Sequence, residues 1–302
     1  MCIDKKIRIK LLILILPILS FSQQLPQFTK YMFNTIAINP AYAGSREKLN
    51  VSFFNRNQWI EIRGAPVTQT FAMHTGVTNT NLGIGLSIIN DKLGYENTFY
   101  AFGDLSYSIN LVDEYWLSFG LKAGFSKYGL DPELLSESDR YLDNIFNKLK
   151  PNFGAGVYLR SDKLFVSLSS PKIISYINNS DIVYTAIERA SYYLMAGYLL
   201  EFSPSLQFKP TGLIKYTKGA PTSFDLTANF LIKENLWLGA TYRFGDAIGA
   251  YVSILAAEGL RIGYAYEFVT SDLNPYTSGS HEIFISYEFR LLRKSCNCAN
   301  RF

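Results

Sequence analysis

The stretch Trp237-Leu238-Gly239-Ala240-Thr241-Tyr242-Arg243-Phe244 alternates residue by residue. Leu238, Ala240, Tyr242 and Phe244 fall on one face, and Trp237, Gly239, Thr241 and Arg243 on the other, because successive side chains of an extended strand point to opposite sides. The same reading holds on both sides of it. Leu260, Ile262, Tyr264, Tyr266 and Phe268 oppose Arg261, Gly263, Ala265 and Glu267. Ile283, Ile285, Tyr287 and Phe289 oppose Glu282, Ser286, Glu288 and Arg290, and Phe224, Leu226, Ala228 and Phe230 oppose Asp225, Thr227 and Asn229. One face is apolar and aromatic, the other small, polar or charged.

Alternation of this kind fits a soluble β-sandwich, which buries its apolar face, and a membrane β-barrel, which turns that face to lipid. The connections separate the two. A short set (77–81, 112–115, 160–163, 202–205, 233–235 and 257–259) alternates with longer ones, up to the stretch 128–151. A membrane barrel has this asymmetry, with tight turns on the periplasmic side and loops outside. Aromatic residues near strand ends (Tyr115, Phe125, Tyr242, Phe244, Phe268 and Phe289) match interfacial girdles. The chain is therefore read as all-β: a transmembrane antiparallel up-and-down β-barrel of the outer membrane, spanning residues 49–290.

Strands are predicted at 49–57, 67–77, 81–90, 97–111, 115–127, 152–161, 163–169, 190–202, 205–217, 222–233, 235–245, 248–257, 259–269 and 281–290. That makes about fourteen, an even number as closure of such barrels normally requires. Odd strands then run outward, every short turn is periplasmic and both chain ends lie in the periplasm.

The N-terminus reads as an export signal over 1–22. Lys5, Lys6, Arg8 and Lys10 precede the apolar run Leu11–Leu19, and Ser20-Phe21-Ser22 offers a cleavage site. Setting it aside removes four basic residues and one acidic one, taking the 29 Lys and Arg to 25 and the 25 Asp and Glu to 24. The apparent basicity belongs to the signal, so nucleic-acid binding loses its support. Residues 23–48, rich in Asn, Pro and Ala, are not a barrel strand. They are expected to fold into the lumen or to bind in the periplasm. Residues 131–150 break the β-pattern, and Asp131-Pro132-Glu133 followed by apolar residues at helical spacing predicts a short outer helix or ordered loop. A periplasmic tail, 291–302, carries Cys296 and Cys298, which form no disulfide framework.

No enzyme signature appears: GxSxG, HExxH and Cys/His metal spacings are absent, and the two histidines, His74 and His281, occupy ordinary wall positions. No catalytic, cofactor-binding or metal-ligating residue is assigned and no cofactor is implied. Lumen-facing Arg56, Lys122, Lys209, Lys215, Arg243 and Arg261 stand against Asp104, Asp225, Glu267, Glu282 and Glu288. Such mixed signs predict ion pairs across the lumen rather than one selective ring.

Several local strings go further. Tyr31-Met32-Phe33-Asn34 is followed by Asn39-Pro40-Ala41-Tyr42-Ala43-Gly44, then by Asn55-Arg56-Asn57-Gln58-Trp59 and Gly64-Ala65-Pro66. Late in the chain come Leu236-Trp237-Leu238-Gly239-Ala240-Thr241-Tyr242-Arg243 and Ser280-His281-Glu282-Ile283. In this order they resemble the PorP/SprF family of Bacteroidetes outer-membrane proteins over essentially the whole mature chain. The residues carrying the resemblance are Asn39, Pro40, Ala41, Tyr42, Gly44, Arg56, Gln58, Trp59, Arg243, His281 and Glu282. The Cys-containing tail resembles the family's end only loosely and takes no role from it.

The resemblance implies a non-enzymatic part in type IX secretion, partnering the export or surface anchoring of large secreted proteins and adhesins of the gliding-motility type. It implies outer-membrane lipid, the secretion components and an exported substrate's C-terminal domain as partners. Two other readings stand beside it: a passive porin for small solutes, and a carbohydrate-binding surface protein resting on Tyr276 and the Tyr176–Tyr184 loop.

Overall fold

A computed structural model of the chain describes residues 31–46, 48–130, 149–178 and 186–289. The expected signal segment 1–22, most of the expected outer helix and the cysteine-bearing tail lie outside these residues.

The first seven barrel strands are β1 (Leu49–Asn57), β2 (Val67–Gly76), β3 (Leu82–Leu93), β4 (Glu96–Val112), β5 (Tyr115–Leu130), β6 (Leu149–Arg160) and β7 (Leu164–Ser170). The next is β8, formed by Ser191–Tyr198 and continued by Leu200–Ser203 after a break at Leu199. The remaining strands are β9 (Leu206–Thr217), β10 (Ser223–Ile232), β11 (Leu236–Arg243), β12 (Ala247–Ala257), β13 (Leu260–Val269) and β14 (Ser280–Phe289). Each pairs antiparallel with its sequence neighbours. β1 pairs with β14, from Leu49 opposite Phe289 to Asn57 opposite His281, and this closes a fourteen-stranded barrel. Closure leaves no sheet edge in the wall, the only way a β-structure can cross a bilayer. A small separate hairpin, Tyr176–Asn178 with Ala186–Glu188, lies in the β7–β8 connection. Leu149 and Lys150, expected to end a short outer helix or ordered loop, open β6 instead, because they pair with Lys127 and Ser126 of β5.

The expected faces are present. Leu238 and Tyr242 of β11 and Ile262 and Tyr264 of β13 are exposed outward, while Trp237, Thr241 and Arg243 are buried inside. The lumen face is more aromatic than the alternation suggested: Phe54, Tyr158, Phe284, Trp237 and Tyr251 all point inward and are buried. They are covered because residues 31–46 fold inside the barrel.

The strict division of connections does not hold. At the end away from the chain termini, β3 and β4 are joined only by Gly94-Tyr95, and β11 and β12 only by Phe244-Gly245-Asp246. Strand pairing continues to Leu93 opposite Glu96 and to Arg243 opposite Ala247, so little chain is left to loop. Gly94 (φ 59°) and Gly245 (φ 71°) supply the left-handed backbone that such tight turns need.

Candidate functional site

The candidate site is the seat of the lumen segment. It begins with a short 3₁₀ turn (Tyr31–Phe33), continues as α1 (Thr35–Ile38) and ends in a second 3₁₀ turn (Pro40–Tyr42). None of the three pieces could be stable alone, since a helix this short forms too few hydrogen bonds to offset its ordering entropy. The wall supplies what is missing. Ile36, Ile38, Ala41, Tyr42 and Ala43 pack into one buried cluster with wall side chains including Ala72, Tyr158, Phe165, Met195 and Leu213. Phe33 stacks on Phe284 at 4.9 Å and meets Trp237 and Tyr251 edge-on, so it reaches β11, β12 and β14 at once.

Polar contacts fix the segment at several points. The Tyr31 hydroxyl lies 3.0 Å from Thr211 Oγ1 and 3.1 Å from Thr227 Oγ1. Buried there, the phenol serves as a neutral hydrogen-bonding group. Lys122 Nζ donates to the carbonyl of Ile36, and Ser106 Oγ donates to that of Ala43 at 2.6 Å. Arg46 ties the end of the segment to Glu288 on β14. Asn39 is fully buried: its Nδ2 donates to Val157 O (3.1 Å) and Ser167 Oγ (2.6 Å), and its Oδ1 accepts from Ala41 N (2.9 Å). That last bond caps the second turn, with Pro40 at its first position.

The seat itself is a row of small residues. Gly83, Ser106, Gly120, Gly156 and Ser169 stand directly opposite one another on β3, β4, β5, β6 and β7. All five are buried on the lumen side. A methyl group on Gly120 would overlap the backbone of Pro40 and Ala41. On Gly156 it would overlap the Asn39 amide, and on Gly83 the carbonyl of Ala43. These glycines therefore permit direct backbone-to-backbone approach of segment and wall. Gly44 leaves the row at φ +70° beside the Cα of Gly83, so a side chain is excluded there on both counts.

Beside the seat lies an ionic network. Arg56 Nη2 is 2.7 Å from Glu267 Oε1, and its Nη1 is 3.3 Å from Glu282 Oε2. Arg243 joins Asp225 (3.1 Å), Asp246 (3.2 Å) and the same Glu267 (3.3 Å). Lys122 pairs with Asp104 opposite it on β4, at 2.7 Å. These pairs run along the wall between adjacent or next-adjacent strands. Charges also act across the lumen, where Asp91 on β3 lies in the field of Lys215 on β9 and of Lys172.

With this geometry in hand, comparison with known proteins identifies the chain's relatives. The profile of the family described as type IX secretion system membrane protein PorP/SprF matches residues 20–287. The chain belongs to the PorP/SprF family. As a PorP/SprF protein with a closed fourteen-stranded barrel it resides in the outer membrane, as the sequence reading expected. No curated protein matches it. Among solved structures it is similar to the TodX ΔS2S3 mutant, a monoaromatic hydrocarbon channel, at 8% identity and a TM-score of 0.51, covering 90% of this chain and 96% of that one. It is also similar to the CymD monoaromatic hydrocarbon channel, at 12% identity and a TM-score of 0.50, covering 88% and 94%. At such identities the likeness is one of fold alone.

The residues carrying the PorP/SprF resemblance are gathered at three places. Asn39, Pro40, Ala41, Tyr42 and Gly44 form the part of the lumen segment that meets the glycine row. Arg56, Arg243 and Glu282 belong to the ionic network, joined through Glu267. Gln58, Trp59 and His281 lie at the outer end of β1 and β14. There the Gln58 amide donates to Pro66 O, the Trp59 amide donates to Ser280 Oγ, and His281 Nδ1 is 2.5 Å from the Tyr264 hydroxyl. Trp59 and Glu61 both hold positive φ, 47° and 82°, in a connection tied through Ile60 to Gly279 and Ser278. Glu267, Ser106 and the pairing of Lys122 with Asp104 complete the site, and no motif marked them.

Replacing Asn39 by alanine removes the cap and leaves the Val157 carbonyl and Ser167 hydroxyl buried without this donor, at about 1–3 kcal/mol. The expected result is faster amide exchange across residues 39–44 in an intact barrel, read by hydrogen-exchange mass spectrometry; unchanged protection there would show that the cap does not hold the segment.

Proposed function

We propose that this protein is a closed partner barrel of the type IX secretion machinery, which assists export or surface anchoring of large secreted proteins and does not itself conduct solutes or catalyse a reaction. Membership of the PorP/SprF family supports the link to secretion. The observation carrying the closed reading is the lumen segment, which reaches the wall at β9 and β10 through Tyr31, at β14 through Phe33, at β6 and β7 through Asn39, and at β3 through Gly44. A path for solutes would have to pass a segment seated on opposite walls. Its partners on this reading are the secretion components and the C-terminal domain of an exported protein, with adhesins of the gliding type as the cargo class.

A non-catalytic role agrees with the surroundings of the two histidines. His74 is buried against the Tyr42 ring at 5.2 Å, and His281 is bonded to Tyr264, so neither sits beside a nucleophile in an open cleft. Among the described residues no cluster of His, Cys, Asp or Glu could hold a metal ion.

Purified protein in planar lipid bilayers tests the reading. The expected result is an electrically quiet membrane in which insertion is verified by heat-modifiable gel migration. Large, steady openings would overturn it in favour of a passive porin.

A further inference from the structure

The lumen is charged unevenly from one end to the other. Around and beyond the segment, Arg56, Lys122 and Arg243 are paired with Asp104, Asp225, Glu267 and Glu282. At the mouth where both chain ends emerge the balance is reversed. Arg160 ends β6, Lys209 lies near the start of β9, Arg261 lies near the start of β13, and Arg46 follows the lumen segment. Among the described residues the inward acids there are Glu288, paired with Arg46, and Glu201, opposite Gln207 at the rim.

Like charges are held close in this mouth. Arg46 acts through space on Lys209 and on Arg261, and both Arg46 and Arg160 act on Tyr158. Among the described residues neither Arg160 nor Arg261 pairs with a carboxylate. Arg160 lies over the Trp116 ring at 5.7 Å, and Arg261 donates at 3.5 Å to Asn235 O and to Ser253 Oγ. Arg160 Nε and the Oε1 of Gln207, a residue only 4% exposed, make no hydrogen bond. Such repulsion in a concave, poorly solvated place is unfavourable until a counter-charge joins it.

Residues adjoining this mouth in the chain do not supply one. Residues 23–30 contain Lys30 and no acid, residues 290–302 contain Arg290, Arg293, Lys294 and Arg301 and no acid, and Glu47 is matched by its neighbour Lys48. The turns at this end carry Asp113, Glu114, Asp162, Glu234 and Glu258, but all are exposed, so water and salt screen them. Arg160, Lys209 and Arg261 are at least partly buried and are screened less.

Spacing sets the size of the anion. β6 and β13 are seven strands apart in a ring of fourteen, so Arg160 and Arg261 face each other across the mouth. Fourteen strands about 4.8 Å apart, tilted about 40°, make a barrel about 28 Å wide. A single phosphate reaches one wall only. An extended peptide advances ~3.3 Å per residue and crosses in about eight residues. Its backbone also offers a donor to Gln207 and an acceptor to Arg160, where a phosphate offers acceptors alone.

We propose that this mouth docks an extended acidic peptide segment of a periplasmic partner, whose carboxylates meet Arg160 on one side and Arg261 on the other. Arginine suits the task because its planar fork takes a carboxylate in two parallel hydrogen bonds. As a docking point for a secretion component the site rests on the partner-barrel reading above; the peptide binding itself does not.

Fluorescence anisotropy of rhodamine-labelled octaglutamate with the full-length protein in detergent micelles tests this. The wild type is expected to bind octaglutamate and to ignore octaglutamine carrying the same label. Arg160→Gln and Arg261→Gln each remove charge-assisted hydrogen bonds and are expected to weaken binding about tenfold. Lys218→Gln, in an exposed turn at the opposite end, is expected to leave it unchanged. Heat-modifiable migration checks the folding of each variant. Absent binding, equal binding of octaglutamine, unchanged affinity in both arginine variants, or an equal loss in Lys218→Gln would overturn the proposal. Displacement of the peptide by inorganic phosphate at equal total charge would overturn it in favour of a small-anion site. None of these outcomes is read from conductance, so each leaves the closed-barrel reading standing.

Discussion

Deleting residues 31–46 is expected to turn an electrically quiet barrel into a steadily conducting one. The diameter of a barrel grows with strand number: eight strands enclose only their own side chains, whereas sixteen leave an aqueous channel. Fourteen strands lie near the open end of that range, and here the space is occupied by the segment carrying Ile36, Ile38, Ala41 and Tyr42. Taking it away exposes a lumen wall lined by Arg56, Lys122, Asp225, Arg243, Glu267 and Glu282, groups that water hydrates readily. Gly120→Val is the point-mutant form of the same experiment. Its side chain would collide with the backbone of Pro40 and Ala41, and backbone on both sides of the contact cannot swing aside as a flexible side chain would. The segment should leave the row at Ala41 while the strand, whose outward side is unchanged, stays paired. Both variants are to be compared with the wild type in planar bilayers; a deletion variant that inserts yet stays quiet would show that the segment is not what closes the lumen.

Arg56→Ala is expected to cause the largest loss of stability of any single substitution in the wall. Arg56 is fully buried and is shared by Glu267 and Glu282, which are themselves buried. Removing one partner of a buried pair leaves uncompensated charge in a poorly solvated place and costs about 3–5 kcal/mol. Arg243 at 3.3 Å still serves Glu267, and the lost Arg56–Glu282 pair bridges the β1–β14 seam that closes the barrel. Urea-induced unfolding in lipid vesicles gives the measurement. A loss below about 1 kcal/mol, the size of a surface pair, would contradict this placement of the charge. Combining Arg56→Met with Glu282→Gln removes both charges of that pair together and is expected to recover part of the loss.

Much of the wall could be read directly from the chain. The strand 49–57 is found as Leu49–Asn57, and the run 205–217 as Leu206–Thr217. Period-two alternation is local, so it survives without knowledge of any partner. Legibility failed where pairing partners set the outcome. The β3–β4 connection was expected to be longer than Gly94-Tyr95, because Leu93 continues the ladder only by virtue of Glu96 opposite it. Leu149 and Lys150 are apolar and basic residues that suit a helix end, and only the hydrogen bonds offered by β5 make them strand. The inward Phe54 and Phe284 broke the rule of a polar lumen because the covering ring, Phe33, comes from residues outside the alternating pattern.

The site was legible as a string and not as a place. Asn39-Pro40-Ala41-Tyr42-Ala43-Gly44 carries a family resemblance as a contiguous string. Nothing in the chain brings Gly83, Gly120 and Gly156 together, since 37 and 36 residues separate them in turn. Their alignment depends on the registers Gly83–Ser106, Ser106–Gly120 and Gly120–Gly156, each fixed by a whole ladder of cross-strand pairs.

By itself, then, the sequence determined the alternating wall, the number of strands and which face meets lipid, because each follows from side-chain periodicity over a few neighbouring residues. Tertiary structure alone decided that residues 31–46 seat against the inner wall, that small residues from five strands align into one seat, and which charges pair along the wall. Those outcomes depend on cross-strand register and on a segment entering from outside the pattern, and both are settled by the sum of many contacts distant in the chain.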